Sequence, residues 1–192
     1  MAIRFLASLA AAAVVIHAAA MVLLHWLVPS VNPRTDMVGA YLNSDYAWLS
    51  RVTFFALACA FASLGLGLIL RHTQGTTFTI AVVLAAIAVV GFLGVAAVPA
   101  AASLFARPTQ PAAIVAILLL SLVLRQEAEW QAVGFYLLGI SAMLIAMFLA
   151  TIVFGVLMSA GFGGVANRVV LVLIYSWVLL VARGLLTPPE AL

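Results

Sequence analysis

Six apolar runs, separated by short polar segments, constrain the fold of this chain more than any other feature. A helix needs about 20 residues to cross roughly 30 Å of hydrocarbon, and five of the six runs approach or exceed that length. The runs cover residues 5–28, 49–70, 78–98, 112–124, 134–158 and 169–187. They lack the in–out alternation of a membrane β-barrel. The sequence therefore predicts an all-α, polytopic transmembrane helical bundle of six helices, with residues 1–192 in a single integral membrane domain.

The fourth run, residues 112–124, is too short to span a bilayer unaided. Its helix either begins earlier, in the alanine-rich stretch at residues 100–106, or extends beyond Arg125, whose long side chain can reach the interface. With six spans, both termini lie on the same side of the membrane. A bundle of five spans with a re-entrant segment is the alternative.

The scarcity of charge excludes a water-soluble domain. Charged residues make up 7% of the chain, whereas soluble domains carry about 25%. The net charge of +3 does not indicate nucleic-acid binding, because the eight arginines are scattered singly near the ends of the runs and there is no lysine. We expect the arginines to anchor helices at the headgroup level. The expected partners are membrane lipids and other integral membrane subunits.

Arginine placement gives only a weak preference for one orientation. The two ends of the predicted bundle form a tie under the positive-inside rule, with Arg4, Arg71, Arg125 and Arg183 at one end and Arg34, Arg51, Arg107 and Arg168 at the other. The free amino terminus beside Arg4 favours cytoplasmic termini, which makes residues 29–48 an outer loop. The first run begins like a cleavable signal peptide but continues to residue 28, so we expect a retained helix. Heavy alanine use and arginine without lysine favour a bacterial inner membrane protein.

Polar residues are concentrated in residues 29–48, between the first two runs. This loop and the bundle end beside it carry the candidate docking or anionic-lipid contacts, which are His25, Arg34, Asp36, Tyr41, Asp45, Tyr46, Trp48, Arg51, Arg107 and Arg168. The simplest interpretation is a salt-bridged loop lying on the bundle mouth. Trp26 and Trp48 stand at the depth of an aromatic belt, and Trp130 is expected to do so at the opposite end.

The chain offers no recognisable catalytic set. No Ser or Cys nucleophile is paired with a histidine and an orienting acid, and Asp36 and Asp45 lie on a connector rather than on a rigid frame. The single cysteine, Cys59, lies in an apolar run, and we expect it to be a small buried hydrophobic residue. No catalytic residue and no metal site is therefore predicted, and enzymatic activity is not favoured.

His17 lies near the midpoint of the first predicted helix, where a polar group is costly unless it finds a partner. It is either a neutral imidazole bonded to a neighbouring helix or an axial ligand to haem or a chlorophyll-type pigment. His25 is about 12 Å further along the helix, too far to share one iron, and only His72 remains as a second haem ligand. We therefore expect no cofactor.

Two further patterns concern helix geometry. Gly161, Gly163 and Gly164 predict a flexible link before the last helix. The helix interiors lack prolines, which argues against the broken helices that are typical of transporters.

The residues at the two ends of the chain carry a resemblance. His25, Pro29, Asn32-Pro33, Tyr41, Tyr46 and Trp48-Leu49 resemble the first hairpin of the bacterial six-helix membrane family catalogued as domain of unknown function 998, and Arg168 and Trp177 resemble its closing helix. The resemblance extends over essentially the whole chain. It implies the six-helix fold and no particular activity, since that family has no assigned one.

The chain departs from this family after the third helix. The resemblance implies an acid in the turn there and a histidine near the start of the fourth helix. This sequence reads GVAAVPAAASLFARPTQPAAIVAIL and keeps only Pro99. Any polar site built from the two missing groups is expected to be lost or altered here.

Three functions are open at this point. The favoured one is a non-catalytic scaffold or accessory subunit of a larger membrane complex, which docks through residues 29–48. The alternative is a transporter or membrane enzyme that handles a lipid or small molecule through the outer Arg/Asp cluster. The third, less favoured, is a pigment- or haem-carrying subunit that uses His17.

Overall fold

Helices dominate the structure, a computed structural model that describes residues 1–71, 75–153 and 155–187. In chain order they are α1 (Ala2–Leu27), α2 (Ala47–Leu70), α3 (Thr76–Ala97), α4 (Ala102–Gln126), α5 (Gln131–Phe148), the short α6 (Val156–Ser159) and α7 (Gly163–Leu186). Six of these helical segments are long and apolar enough to cross a membrane, and the described ranges contain no strand. The predicted all-α fold with six membrane-spanning-capable helices is confirmed.

Neighbouring helices pack in pairs, and α7 closes the bundle. The most extensive contacts join α3 to α4, α1 to α2 and α2 to α3, while α7 packs against α1, α5 and α2. Helices suit a lipid environment because each satisfies its own backbone hydrogen bonds. Their buried faces are rich in alanine, glycine and serine, which lets backbones approach closely where no hydrophobic driving force acts.

Helix α4 is longer than the apolar run at residues 112–124. It begins at Ala102, within the alanine-rich stretch at residues 100–106 that was expected as one possible start, and it continues through Arg125 to Gln126. It also includes Pro108 and Pro111. The expectation of proline-free helix interiors was therefore wrong. Transmembrane helices tolerate proline where neighbouring helices or Ser/Thr side chains support them. Here α3 packs closely against this part of α4, and the Thr109 hydroxyl donates to the Phe105 carbonyl.

The contact between α3 and α4 depends on two glycines. A Cβ at Gly91 would lie 1.6 Å from the Thr109 hydroxyl, and one at Gly94 would lie 2.2 Å from the Phe105 ring. These distances leave no room for any other side chain. The glycines thus fix how closely α3 approaches the proline-containing half of α4.

A buried polar network joins three helices in the bundle interior. The Trp177 indole N–H donates to Ser121 Oγ over 2.8 Å, and Ser121 Oγ lies 2.9 Å from Ser141 Oγ. All three side chains are buried. The network ties α7 to α4 and α5, and it accounts for a tryptophan in the middle of the last helix.

An ion pair joins helices at the end of the bundle that lies away from the segment between α1 and α2. Arg71 binds Glu129 through two N–H groups, with Nε–Oε1 at 3.2 Å and Nη2–Oε2 at 2.5 Å, and its Nη1 donates to the Gly184 carbonyl over 3.1 Å. Trp130 is fully buried beside them, and a Cβ at Gly184 would lie 2.3 Å from its ring. Trp130 is thus packed inside the protein against α7, with Arg71 Cζ 5.7 Å from its ring centre, and does not face the headgroups as an aromatic-belt residue would.

The segment before α7 also differs from the prediction. Helix α5 ends at Phe148 and continues as a π-helical turn through Val153. Gly161 has a positive φ of 73° and makes the turn, but Gly163 and Gly164 are buried in the first turn of α7. They are therefore not part of a flexible link.

We predict that Gly91→Ala destabilises the protein, whereas Gly139→Ala does not. The added methyl at Gly91 collides with Thr109, and such overpacking costs about 1–3 kcal/mol. Gly139 has open space around its Cβ position, and alanine improves helix propensity by about 1 kcal/mol. Thermal unfolding in detergent measures both variants. Equal melting temperatures for the two would contradict the α3–α4 contact.

We further predict that Glu127→Gln becomes stabilising as the pH rises. Burial raises the pKa of the Glu127 carboxyl, the Glu129 charge raises it further, and Arg71 lowers it. An acid with a raised folded-state pKa stabilises the fold when protonated, and this contribution is lost as the pH rises through that pKa. Melting temperatures of wild type and variant should coincide in acid and separate towards neutral pH. Glu129→Gln, which removes the ion pair, should show the opposite sign at neutral pH.

Candidate functional site

The segment that connects α1 to α2, residues 28–46, folds onto the bundle instead of extending away from it. Tyr41 is fully buried, and Val28, Val31 and Leu49 pack with it against the last turns of α1. Polar side chains hold the turn at its tip. The Asp36 carboxylate accepts a hydrogen bond from the Asn32 N–H, and the Asn32 side-chain oxygen accepts one from the Arg34 N–H, both over 2.9 Å. These polar residues therefore serve the segment's own backbone.

The tip of the connecting segment caps α7. The Arg34 carbonyl accepts hydrogen bonds from the N–H groups of Gly164 at 3.0 Å and Val165 at 3.2 Å, which would otherwise lack partners at a helix start. A Cβ at Gly164 would lie 2.6 Å from the Pro33 carbonyl oxygen and 2.7 Å from that of Asp36. Only glycine allows this approach.

Arg168 joins the connecting segment to both α1 and α7. Its Nε donates to His25 Nε2 over 2.8 Å, and its Nη1 donates to the carbonyls of Asp36 and Gly164, each over 2.9 Å. Its Nη2 donates to the Tyr41 hydroxyl over 3.3 Å. His25 is oriented in turn by a 2.7 Å hydrogen bond between Nδ1 and the Met21 carbonyl. The guanidinium thus fixes three parts of the chain relative to one another.

All four acceptors around Arg168 are uncharged. A salt-bridged loop would pair its aspartates with the neighbouring arginines, but within residues 1–71, 75–153 and 155–187 the one ion pair is that of Arg71 with Glu129. The expected salt-bridged loop was wrong on this point. The segment is held by hydrogen bonds because its aspartates cap backbone or face solvent.

The ten residues predicted from the loop and its neighbours fall into two groups. His25, Arg34, Asp36, Tyr41 and Arg168 meet at the start of α7, Arg34 and Asp36 through their backbone carbonyls. Tyr46 is half-buried against the same cluster, whereas the side chains of Asp45, Trp48, Arg51 and Arg107 are exposed. Their role in docking stays a prediction.

His17 is buried, with 1% of its surface exposed, and finds its partner on α7. Its Nδ1 lies 2.5 Å from the Tyr175 hydroxyl. Within the described part of the chain, Nε2 has no hydrogen-bond partner. His72, the other histidine considered for a haem, lies outside the described residues.

A cavity of about 190 Å³ lies between the connecting segment and the helices. Its walls are almost wholly apolar, and they come from α1, α2, α3, α4 and α7. The polar residues that line it are His17, Thr109, Gln110 and Asn167. Asn167 also fixes the roof, because its Oδ1 accepts a 3.0 Å hydrogen bond from the Val38 N–H. The connecting segment is therefore one wall of a chamber.

The sequence pattern missed most of this chamber. Thr109 and Gln110 lie in a stretch between two prolines that resembles a loop, and Asn167 is one amide at the start of a helix. Gly164 stood out only as part of a glycine cluster. These residues come together through contacts between positions more than a hundred residues apart, such as the hydrogen bond from the Val38 N–H to Asn167. No local sequence pattern encodes such contacts.

Comparison with known proteins assigns the chain to a family. Residues 11–184 match the family described as "Protein of unknown function (DUF998)". The chain belongs to the DUF998 family. No curated protein and no solved structure matches it. The expected family is confirmed, and in this DUF998 protein the matched range contains both the start of α7 and the chamber.

We predict that Gly164→Ala exposes the Arg34–Thr35 peptide bond to trypsin. The methyl group would force the segment off α7 and break the two hydrogen bonds to the Arg34 carbonyl. A strain of about 1–3 kcal/mol corresponds to roughly tenfold faster cleavage. Gly39→Ala, in the same segment but with open space at its Cβ position, is the control. Identical digestion of wild type and Gly164→Ala would show that the segment is not held there.

Proposed function

We propose that this DUF998 protein binds a small membrane-soluble molecule in the chamber under the connecting segment, and so belongs with lipid- or small-molecule-handling proteins. The observation that supports this most directly is the apolar cavity with the buried His17 in its wall. Ligand sites typically combine apolar walls with a few placed polar groups. We propose a bacterial inner membrane, with cytoplasmic termini, as its location, and heavy alanine use and arginine without lysine support a bacterial source.

The polar groups of the chamber suggest the chemistry of the ligand. If Tyr175 donates to His17 Nδ1, then Nε2 carries a proton and donates; if the direction is reversed, Nε2 accepts. A hydroxyl group on the ligand suits either tautomer. Asn167 lies two helical turns from Tyr175, a rise of about 12 Å along α7. An elongated apolar molecule with an oxygen at one or both ends fits this spacing.

Binding is favoured over catalysis by what lines the chamber. The lining residues include no charged side chain, no cysteine and no serine. The one hydroxyl among them, that of Thr109, donates to the Phe105 carbonyl. Acid–base or nucleophilic chemistry needs an activated pair of groups, and His17 is paired only with a phenol. We therefore propose a non-catalytic role.

The proposal differs from docking of another membrane subunit through residues 29–48. Half of the polar groups expected to dock hold the segment onto the bundle instead. Of the ten predicted contacts, those with exposed side chains that a partner could still reach are Arg34, Asp45, Trp48, Arg51 and Arg107. Docking remains a separate prediction that does not depend on the chamber.

The test is to identify what the purified protein retains. We expect mass spectrometry of an organic extract from detergent-purified wild type to show one apolar compound in stoichiometric amount. Ala113→Phe, which fills the chamber, should lose it, and His17→Phe should retain about fivefold less, the worth of one buried hydrogen bond. Ala142→Phe, at an exposed position on α5, is the matched control.

Melting temperatures establish that each variant is folded before its extract is compared. An unchanged compound in Ala113→Phe, or an empty extract from folded wild type, would rule out the chamber as a binding site. The visible absorption spectrum of the same sample separates a haem or chlorophyll-type pigment on His17 from a colourless ligand.

A further inference from the structure

Two arginines share a groove on the outside of α7, away from the chamber. Arg34 and Arg168 line its upper part together with Pro33. The remaining lining is an apolar stripe along the helix, formed by Val165, Val169, Val172 and Leu173. These positions follow the i, i+4, i+7, i+8 spacing of one helix face. The groove has a volume of about 480 Å³.

Neither arginine has an anionic partner in the described part of the chain. Arg168 uses four of its five N–H groups on His25, Tyr41 and two carbonyls, all of them neutral. Arg34 lies with its Cζ 4.5 Å from the centre of the Phe162 ring. Arg168 is half-buried, whereas Arg34 is exposed. The Arg168 guanidinium is always charged, and a charge withdrawn from water is normally paired. The groove thus holds the unpaired charge of Arg168, and Arg34 presents a second positive charge beside it.

We propose that the groove is a seat for one anionic membrane phospholipid, whose net negative charge complements the two arginines. Its phosphate lies against Arg34 and the remaining N–H of Arg168, and an acyl chain follows the valine stripe down α7. Arginine binds phosphate oxygens well because its N–H groups match their geometry. Arg168 is five residues from the start of α7, about 7–8 Å along the axis, and the apolar stripe continues beyond it through Val169, Val172 and Leu173.

The apolar stripe distinguishes a phospholipid from free phosphate. An inorganic ion would use the two arginines and leave Val169, Val172 and Leu173 without a function. A lipid uses both parts of the groove. The seat lies outside the chamber and does not depend on a ligand being bound there.

The experiment places the full chain in nanodiscs of phosphatidylcholine, adds phosphatidylglycerol, and counts retained lipid by native mass spectrometry after transfer to detergent. We expect wild type to retain one phosphatidylglycerol molecule. Arg34→Gln should weaken retention about tenfold, the worth of one charge-assisted hydrogen bond. Val169→Trp should abolish retention because the larger side chain fills the groove, although both arginines are unchanged.

Matched controls are available on α4. Arg107→Gln removes an exposed arginine outside the groove, and Val115→Trp enlarges an exposed valine that does not line it. Both should retain the lipid as wild type does. Ala113→Phe should also retain it, which separates this seat from the chamber.

Two competitors test the chemistry of the occupant. Diacylglycerol with the same chains should not displace phosphatidylglycerol, and inorganic phosphate should not displace it at the same concentration. Displacement by diacylglycerol would overturn the role of the arginines, and displacement by phosphate would show an anion site without lipid. Equal retention by wild type, Arg34→Gln and Val169→Trp would overturn the proposal altogether.

Discussion

The Arg168 guanidinium determines how the ends of three segments meet. It donates to a side chain at the end of α1, to a carbonyl and a phenol of the connecting segment, and to a carbonyl in the first turn of α7. Only arginine offers enough N–H groups in one rigid plane to reach four acceptors. Together with the Arg34 carbonyl cap and the Val38–Asn167 hydrogen bond, this hub fixes residues 28–46 on the bundle as one wall of the chamber.

The hub explains why so much polar material lies in one place in an otherwise apolar chain. Next to a bilayer, every backbone group near the hydrocarbon needs a partner within the protein. The side chains of Asn32, Asp36 and Asn167 each accept a hydrogen bond from a backbone N–H. Their oxygens thus stabilise an irregular segment that has few backbone hydrogen bonds of its own.

Hydropathy was sufficient to predict the number of helices, because a membrane-spanning helix is identified by length and apolar content alone. It left the start of α4 open between residues 100–106 and residue 112, because Arg107, Pro108 and Pro111 resemble a loop. That part is helical because Gly91 and Gly94 let α3 approach it closely, a condition set by another helix. The same limit applies to the site. Polar residues could be named from the sequence, but the pairing of His25 with Arg168 joins positions too far apart to be inferred from local pattern.

The chamber persists because both ends of α7 are already in close contact. Gly164 touches the carbonyls of Pro33 and Asp36 at one end, and Gly184 touches the Trp130 ring at the other. Helix α7 therefore cannot move inward to close the gap between these points. The apolar walls around this space of about 190 Å³ lack the packing contacts, and hence the packing free energy, of a close-packed interior. A molecule that fills the space recovers part of this free energy. The close contacts at Gly164 and Gly184 thus hold α7 in place and leave between them the space that the proposed ligand fills.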